Sequence, residues 1–217
     1  MSKMARTSSH WNKNVACAIS VKTTGPKIRF NEVYQLSVIP LLSDYTIDNT
    51  ILPLNLFIKP ENPELISWPN NRVKRNLIKQ AIDYGINQED VPDHFETWFE
   101  NKLKPGYNVK GYNKNKILPV VHNYYLNYQF LNDLLTPSSY EEWFDWHIKD
   151  LQNAANIIND VYAEHGEKVP YSKTTLSYLQ SALGVTEITR ADALQECVAL
   201  SKCYALMVRN LKRSFKF

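Results

Sequence analysis

The sequence lacks any long apolar run. Its 217 residues include only three cysteines, and the formal net charge is only +3. No segment approaches the roughly 18 apolar residues that a membrane-spanning helix needs, and residues 1–14 have no apolar stretch typical of a secretory signal. We therefore predict no membrane partner. Cys17, Cys197 and Cys203 are odd in number, lie among apolar residues and lack metal-ligand spacing, which predicts reduced core thiols and a cytoplasmic protein.

The small net charge permits a polyanionic partner without requiring one. There is no internal repeat and no low-complexity tract. Aromatic residues are plentiful, with thirteen Tyr, eight Phe and five Trp, and 44% of residues are hydrophobic, enough for a full core. We predict a single α/β domain over residues 15–213, between a flexible N-terminal arm (residues 1–14) and a C-terminal tail (residues 214–217).

Short apolar segments rich in β-branched residues predict the strands, and helical spacing of apolar residues predicts the helices. The predicted strands are residues 15–21, 33–42, 52–58 and 117–121. The predicted helices are residues 72–84, 92–103, 128–135, 151–165, 172–183 and 190–213. Asp150 is predicted to be the N-cap of the fourth helix. The predicted order is three strands, two helices, a fourth strand and then further helices. This order predicts a mixed sheet covered by helices.

Three motifs along this framework resemble one enzyme family. Residues 20–25 read Ser-Val-Lys-Thr-Thr-Gly, residues 122–131 read His-Asn-Tyr-Tyr-Leu-Asn-Tyr-Gln-Phe-Leu, and residues 191–197 read Ala-Asp-Ala-Leu-Gln-Glu-Cys. Their order and framework resemble the histidine subgroup of the DEDD (DnaQ-like) 3'-5' exonucleases, and the segment around residues 157–179 resembles a phage and bacterial branch. The resemblance implies a ribonuclease-H-like fold, a mixed five-stranded sheet with helices on its faces.

The sequence departs from this family at its signature positions. Metal-binding carboxylates and a general-base His are replaced together, at Ser20, Lys22, Asn127, Ala191 and Glu196. The family reaction uses two divalent ions held by carboxylates to activate water. The resemblance therefore implies no intact catalytic residue, no metal site and no cofactor, and Mg²⁺ or Mn²⁺ would bind only if the metal site were relocated. We expect Lys22 to take the place of the metal, pairing with Glu196 and hydrogen-bonding Asn127 and Ser20.

A basic segment, residues 102–116, carries five lysines interleaved with two tyrosines and no acidic residue. Such a segment can follow a phosphate backbone while its rings stack on bases, and the alternative is a solvated hairpin. The candidate nucleic-acid contacts are Lys22, Thr23, Thr24, Asn123, Lys102, Lys104, Tyr107, Lys110, Tyr112, Lys114 and Lys116. Four tryptophans are candidate contact surfaces, with core packing as the alternative: Trp68, Trp98, Trp143 and Trp146.

These features leave three hypotheses of function. The first is a catalytically degenerate exonuclease-like protein that serves as a binding, assembly or regulatory subunit, in a phage nucleic-acid-processing or host-takeover complex in the host cytoplasm. The second is a non-cleaving module that binds single-stranded DNA or RNA. The third is an active metal-dependent 3'-5' exonuclease with a relocated metal site. The substituted signature positions favour a protein without catalytic activity.

Overall fold

A five-stranded mixed sheet forms the centre of the fold. The computed structural model describes residues 14–107, 116–186 and 192–214. The strands are β1 (Val15–Thr23), β2 (Val33–Pro40), β3 (Leu54–Phe57), β4 (Ile117–Val121) and β5 (Lys149–Asp150). They lie in the order β3-β2-β1-β4-β5, with β1 antiparallel to β2 and parallel to β4. The predicted mixed five-stranded sheet is confirmed.

Eight α-helices of the described chain accompany this sheet. They are α1 (Arg72–Tyr84), α2 (Val91–Trp98), α3 (Lys104–Tyr107), α4 (Tyr124–Leu135), α5 (Pro137–Trp143), α6 (Leu151–Glu164), α7 (Leu176–Ala182) and α8 (Ala193–Ser214). The bounds of α1 are those that the sequence predicted. It begins at Asn71, whose side chain accepts a hydrogen bond from the backbone N–H of Lys74 at 2.9 Å, as an N-cap residue does.

Other bounds differ from the prediction where distant contacts decide them. Helix α4 begins at Tyr124 rather than at residue 128, because Asp150 Oδ2 accepts the Tyr124 backbone N–H at 2.7 Å. The preceding residue, Asn123, has a φ of 59°, so its backbone takes the left-handed helical conformation in the turn between β4 and α4. Strand β5 is only two residues long, too short to leave a periodic pattern in the sequence.

The predicted basic loop is wrong over its first part, which is helical. A π-helical turn, Phe99–Leu103, continues α2 into α3. The reason is burial: Phe99, Leu103 and Tyr107 all lie in the core. The Tyr107 hydroxyl is 3.0 Å from both the Leu41 carbonyl oxygen and Asp48 Oδ2. Tyr107 is therefore a core residue and does not present its ring for stacking on a base.

The core lies on both faces of the sheet. One cluster joins Cys17 and Ile19 of β1 to the aromatic residues of α2, α4 and α5. The other joins Ala16 and Ala18 to residues of α6, α7 and α8, including Cys197. The small side chains of Ala16 and Ala18 let α8 pack closely on the central strand. All three cysteines are free and buried, as the sequence predicted.

The ends of the described chain correct two predicted boundaries. Asn14, predicted as part of a flexible arm, is 4% exposed. Its side chain donates to Asp145 and accepts the Lys116 backbone N–H at 3.1 Å. Ser214, predicted to begin the tail, is the last residue of α8. The rest of the predicted arm and tail lies outside the described residues. No helix within those residues is both long and apolar enough to cross a membrane.

Candidate functional site

A cleft opens where β1 ends, beside the first turn of α8 and the turn that leads from β4 into α4. Its volume is about 260 Å³. The framework explains why distant motifs meet here: β1 and β4 are parallel neighbours, so their carboxyl ends lie at the same edge of the sheet. The lining residues are Val21, Lys22, Thr23, Tyr34, Lys74, His122, Asn123, Leu126, Asn127, Phe130 and Glu196.

One carboxylate, that of Glu196, joins the first and third motifs. Lys22 Nζ forms an ion pair with Glu196 Oε2, and Ser20 Oγ donates to Oε1 at 2.8 Å. The Lys22 and Glu196 side chains are only 14% and 18% exposed, so solvent screens this pair less than it would a surface pair. The predicted pairing of Lys22 with Glu196 is confirmed. Ser20, expected to contact Lys22, bonds the carboxylate instead.

The predicted hydrogen bond between Asn127 and Lys22 is absent, because the Asn127 amide bonds backbone atoms instead. Its Oδ1 accepts the Val21 N–H at 3.3 Å, and its Nδ2 donates to the carbonyl oxygens of His122 and Asn123 at 2.9 and 3.1 Å. Asn127 is 8% exposed. The side chain therefore ties β1 to the turn before α4, a role that needs both the acceptor and the donor of an amide.

A second lysine, Lys74 of α1, enters the cleft and was missed by the sequence reasoning. Burial, and then the positive charge of Lys22, hold the pKa of Lys74 below its ordinary value. No sequence pattern marks Lys74, because it lies in an ordinary amphipathic helix. Its direction is set by tertiary packing, in which Ile78 and Ala81 of α1 contact the fully buried Tyr34.

Tyr34 of β2 forms part of the cleft wall. Burial raises its pKa well above the ordinary range, and the nearby carboxylates of Asp192 and Glu196 raise it further. The phenol is thus held neutral, since ionising it would place another negative charge in this buried position.

The donor set does not match what a pair of Mg²⁺ ions requires. Glu196 supplies the one carboxylate among the described residues lining the cleft, and both of its oxygens are already engaged. Mg²⁺ prefers hard oxygen ligands in near-octahedral geometry, whereas Lys22 contributes a repelling ammonium group. Across the described ranges there is no cluster of three His, Cys, Asp or Glu side chains that could hold a metal ion.

Two acids close to the cleft in sequence or space, Asp150 and Asp192, do not line it and serve as helix caps. Asp150 Oδ1 accepts the N–H groups of Gln152 and Asn153 at 2.7 and 3.2 Å, which confirms the predicted N-cap of α6. Asp192 Oδ1 accepts the Gln195 N–H at 2.9 Å at the start of α8. His122 is held by a 2.9 Å hydrogen bond between Nε2 and the Thr174 carbonyl oxygen.

The predicted basic contacts are not all brought to the cleft. Lys104 pairs with Glu100, and Lys116 Nζ donates to the Glu141 carbonyl oxygen. Lys102 is exposed and, like these two, does not line the cleft. Lys110, Tyr112, Lys114 and Ala191 lie outside the described residues.

The two threonines of the first motif make turn contacts. Thr23 Oγ1 donates to the Gly25 carbonyl oxygen at 2.7 Å, and Thr24 Oγ1 accepts the Glu32 N–H at 3.0 Å. A Cβ at Gly25 would lie 2.5 Å from Asn31 Oδ1, so a larger residue there would displace the Asn31 side chain.

The tryptophans divide into two pairs. Trp98 and Trp143 are buried in the core, whereas Trp68 and Trp146 are 43% and 81% exposed. The core alternative holds for the first pair, and only the second pair can serve as a contact surface.

Comparison with known proteins gives a structural likeness and no sequence match. No family model matches the chain, and no curated protein matches it. Exonuclease I from Methylocaldum szegediense is similar with a TM-score of 0.64 and 16% identity, over 92% of this chain and 41% of that chain. E. coli exonuclease I in complex with a dT13 oligonucleotide is similar with a TM-score of 0.61 and 16% identity, over 94% of this chain and 43% of that one.

A shorter neighbour matches nearly end to end. The nuclease domain of 3'hExo, a DEDDh family member bound to rAMP, has a TM-score of 0.59 and 14% identity, over 91% of this chain and 92% of that one. The chain thus spans less than half the length of the two exonuclease I proteins. At these identities the likeness concerns the fold, and the chain has the ribonuclease-H-like fold of the DEDD exonucleases.

Proposed function

We propose that this protein is a non-cleaving protein of exonuclease fold that acts by binding, as an assembly or regulatory subunit of a nucleic-acid-processing complex. The observation that carries the proposal is the ion pair of Lys22 with Glu196 at the positions where the resembling family has metal-binding carboxylates. A phage-encoded complex in the host cytoplasm is the setting that we propose, supported by the resemblance of residues 157–179 to a phage and bacterial branch.

The proposal is supported by the chemistry of the cleft. Fold alone does not define activity, and two-metal hydrolysis needs carboxylates that clamp both ions. Here one carboxylate is neutralised by Lys22, and the amide of Asn127 is consumed by backbone contacts. No cofactor is needed for a binding role.

The proposal is tested by incubating the protein with 3'-labelled single-stranded DNA and RNA in Mg²⁺ and in Mn²⁺. We expect no shortening above the buffer control, because the described residues lining the cleft offer one carboxylate, Glu196, and it is paired with Lys22. Isothermal titration of the same two ions should give no binding heat. E. coli exonuclease I serves as the positive control for substrate and buffer.

Metal-dependent shortening that disappears in Glu196→Ala would establish the alternative, an active exonuclease with a relocated metal site. Shortening that is lost on further purification would come from a contaminating nuclease. Metal-dependent shortening that stays with the purified protein would overturn the proposal even if Glu196→Ala retained it.

A non-cleaving single-strand-binding role is the second candidate, favoured by the presence of Lys22 and Lys74 in one cleft. One structural neighbour, E. coli exonuclease I, is described in complex with a dT13 oligonucleotide. Fluorescence anisotropy with a labelled dT13 at several salt concentrations tests this role. Binding through phosphates should weaken with a log–log slope of about −0.7 per phosphate contacted. Absence of binding at low salt, with dT13 and with an RNA oligonucleotide of the same length, would contradict this role.

A further inference from the structure

The cleft contains more hydrogen-bond donors than acceptors. Both oxygens of Glu196 are engaged, by Ser20 and Lys22, and Asn127 Oδ1 accepts the Val21 N–H. His122 Nε2 donates to the Thr174 carbonyl oxygen, so the open side-chain acceptors in the cleft are few, chiefly the amide oxygen of Asn123.

The donors left over are ammonium and amide groups. Lys74 Nζ makes no hydrogen bond or ion pair within the described residues, and an ammonium group carries three N–H donors. Lys22 has donors beyond the one that it gives to Glu196. The exposed side chain of Asn123 at the rim makes no hydrogen bond in the described part of the chain.

The formal charge of the cleft is positive, which agrees with its surplus of hydrogen-bond donors. Among the lining Lys, Arg, Asp and Glu side chains, Lys22 and Lys74 contribute +2 and Glu196 contributes −1, which leaves a formal charge of +1. A concave site of net positive charge attracts an incoming anion, and here Lys74 is the charge that Glu196 does not neutralise. Burial and the charge of Lys22 hold the pKa of Lys74 below its ordinary value, and an anion bound beside Lys74 would offset that repulsion.

We infer that the cleft binds a phosphate group, with Lys74 as its main contact, assisted by Lys22 and Asn123. A phosphate offers only acceptors at neutral pH apart from one partly titrated proton, which matches the donor surplus. The volume of about 260 Å³ admits a phosphate with part of the molecule that carries it. This inference rests on the proposed function, since metal ions held in the cleft would take the position of the anion.

The inference is tested with inorganic phosphate as the probe, titrated into the full chain at low ionic strength and followed by NMR chemical shifts. We expect shifts at Lys22, Asn123 and their neighbours, and Lys74→Ala should weaken the affinity at least tenfold. Lys74→Arg should stay within about threefold, because the guanidinium group keeps the charge and the donors. The matched control is Lys79→Ala, an exposed lysine on the same helix outside the cleft, which should bind as the unaltered protein.

A phosphate monoester, glycerol 3-phosphate, forms the second arm of the titration. Tighter binding of the ester than of inorganic phosphate would assign the site to a phosphate carried on a larger molecule, and equal affinities would assign it to the free ion. Either result supports the inference provided that Lys74→Ala weakens it.

A second substitution distinguishes loss of phosphate binding from loss of folding. Lys74→Met keeps the apolar stem and removes a half-buried, unpaired charge, so it should abolish phosphate binding while raising the melting temperature by about 1–2 °C. Unchanged phosphate affinity in Lys74→Ala would overturn the inference and leave the nuclease result standing. Metal-dependent cleavage would overturn the proposed function whatever Lys74 does.

Discussion

Lys22→Met is expected to lower the free energy of unfolding by about 3 kcal/mol, measured by urea denaturation at neutral pH. The substitution keeps an apolar stem of similar length but leaves the Glu196 carboxylate with only the Ser20 hydroxyl as a partner. Because the Glu196 side chain is 18% exposed, water cannot replace the lost ammonium group fully. Breaking a largely buried pair from one side is costly for this reason.

The double variant Lys22→Met/Glu196→Gln separates the ion pair from other effects. Removing both charges should restore much of the lost stability, giving a coupling energy of about 2 kcal/mol in the mutant cycle. Lys104→Met is the matched control, because Lys104 pairs with Glu100 at side-chain exposures of 37% and 43%. That exposed pair should cost no more than about 0.5 kcal/mol. Equal losses in Lys22→Met and Lys104→Met would contradict the structural role of the cleft pair.

Asp150→Ala is expected to destabilise the protein by about 2–3 kcal/mol in the same assay. Its carboxylate accepts three backbone N–H groups, from Tyr124 at the start of α4 and from Gln152 and Asn153 at the start of α6. Loss of an N-cap alone costs about 1 kcal/mol. The Tyr124 N–H would lose its acceptor as well, which adds about 1–2 kcal/mol.

Two variants control for the simpler explanations of that loss. Asp192→Ala removes an N-cap carboxylate that accepts from Gln195 and joins no second helix, so its cost should stay near 1 kcal/mol. Asp160→Ala removes an exposed acid within α6 itself and should change stability by less than about 0.5 kcal/mol. If Asp150→Ala cost no more than Asp192→Ala, the contact with Tyr124 would carry no measurable energy.

The spacing of apolar residues was sufficient to predict the elements whose buried positions follow a regular pattern along the sequence. The bounds of α1 and β4 follow from their own apolar spacing, and the mixed sheet follows from the order of strands and helices. The start of α4 could not be predicted, since it depends on Asp150, 26 positions further along the chain. The helical state of residues 104–107 was also hidden, because Pro105 and Gly106 are poor helix formers and the burial of Tyr107 is decided by tertiary contacts.

The candidate site divides in the same way. Ser20, Lys22 and Glu196 could be assigned to one cleft because each lies within a motif whose framework predicts its position. Lys74 could not, since only the packing of α1 on Tyr34 turns it inward. The partners of Asn127 were missed because a motif identifies a position and not the backbone groups around it.

The three buried cysteines allow local unfolding of the protein to be measured by thiol labelling. Burial raises the pKa of the Cys17 and Cys197 thiols, and it raises that of Cys203 to about 12. Only a thiolate reacts readily with an alkylating reagent, so each thiol is modified when its surroundings open to water. Cys17 lies in the central strand, whereas Cys197 and Cys203 lie in α8. Mass-resolved labelling rates would therefore distinguish transient detachment of the last helix, which carries Glu196, from exposure of the strand that carries Lys22.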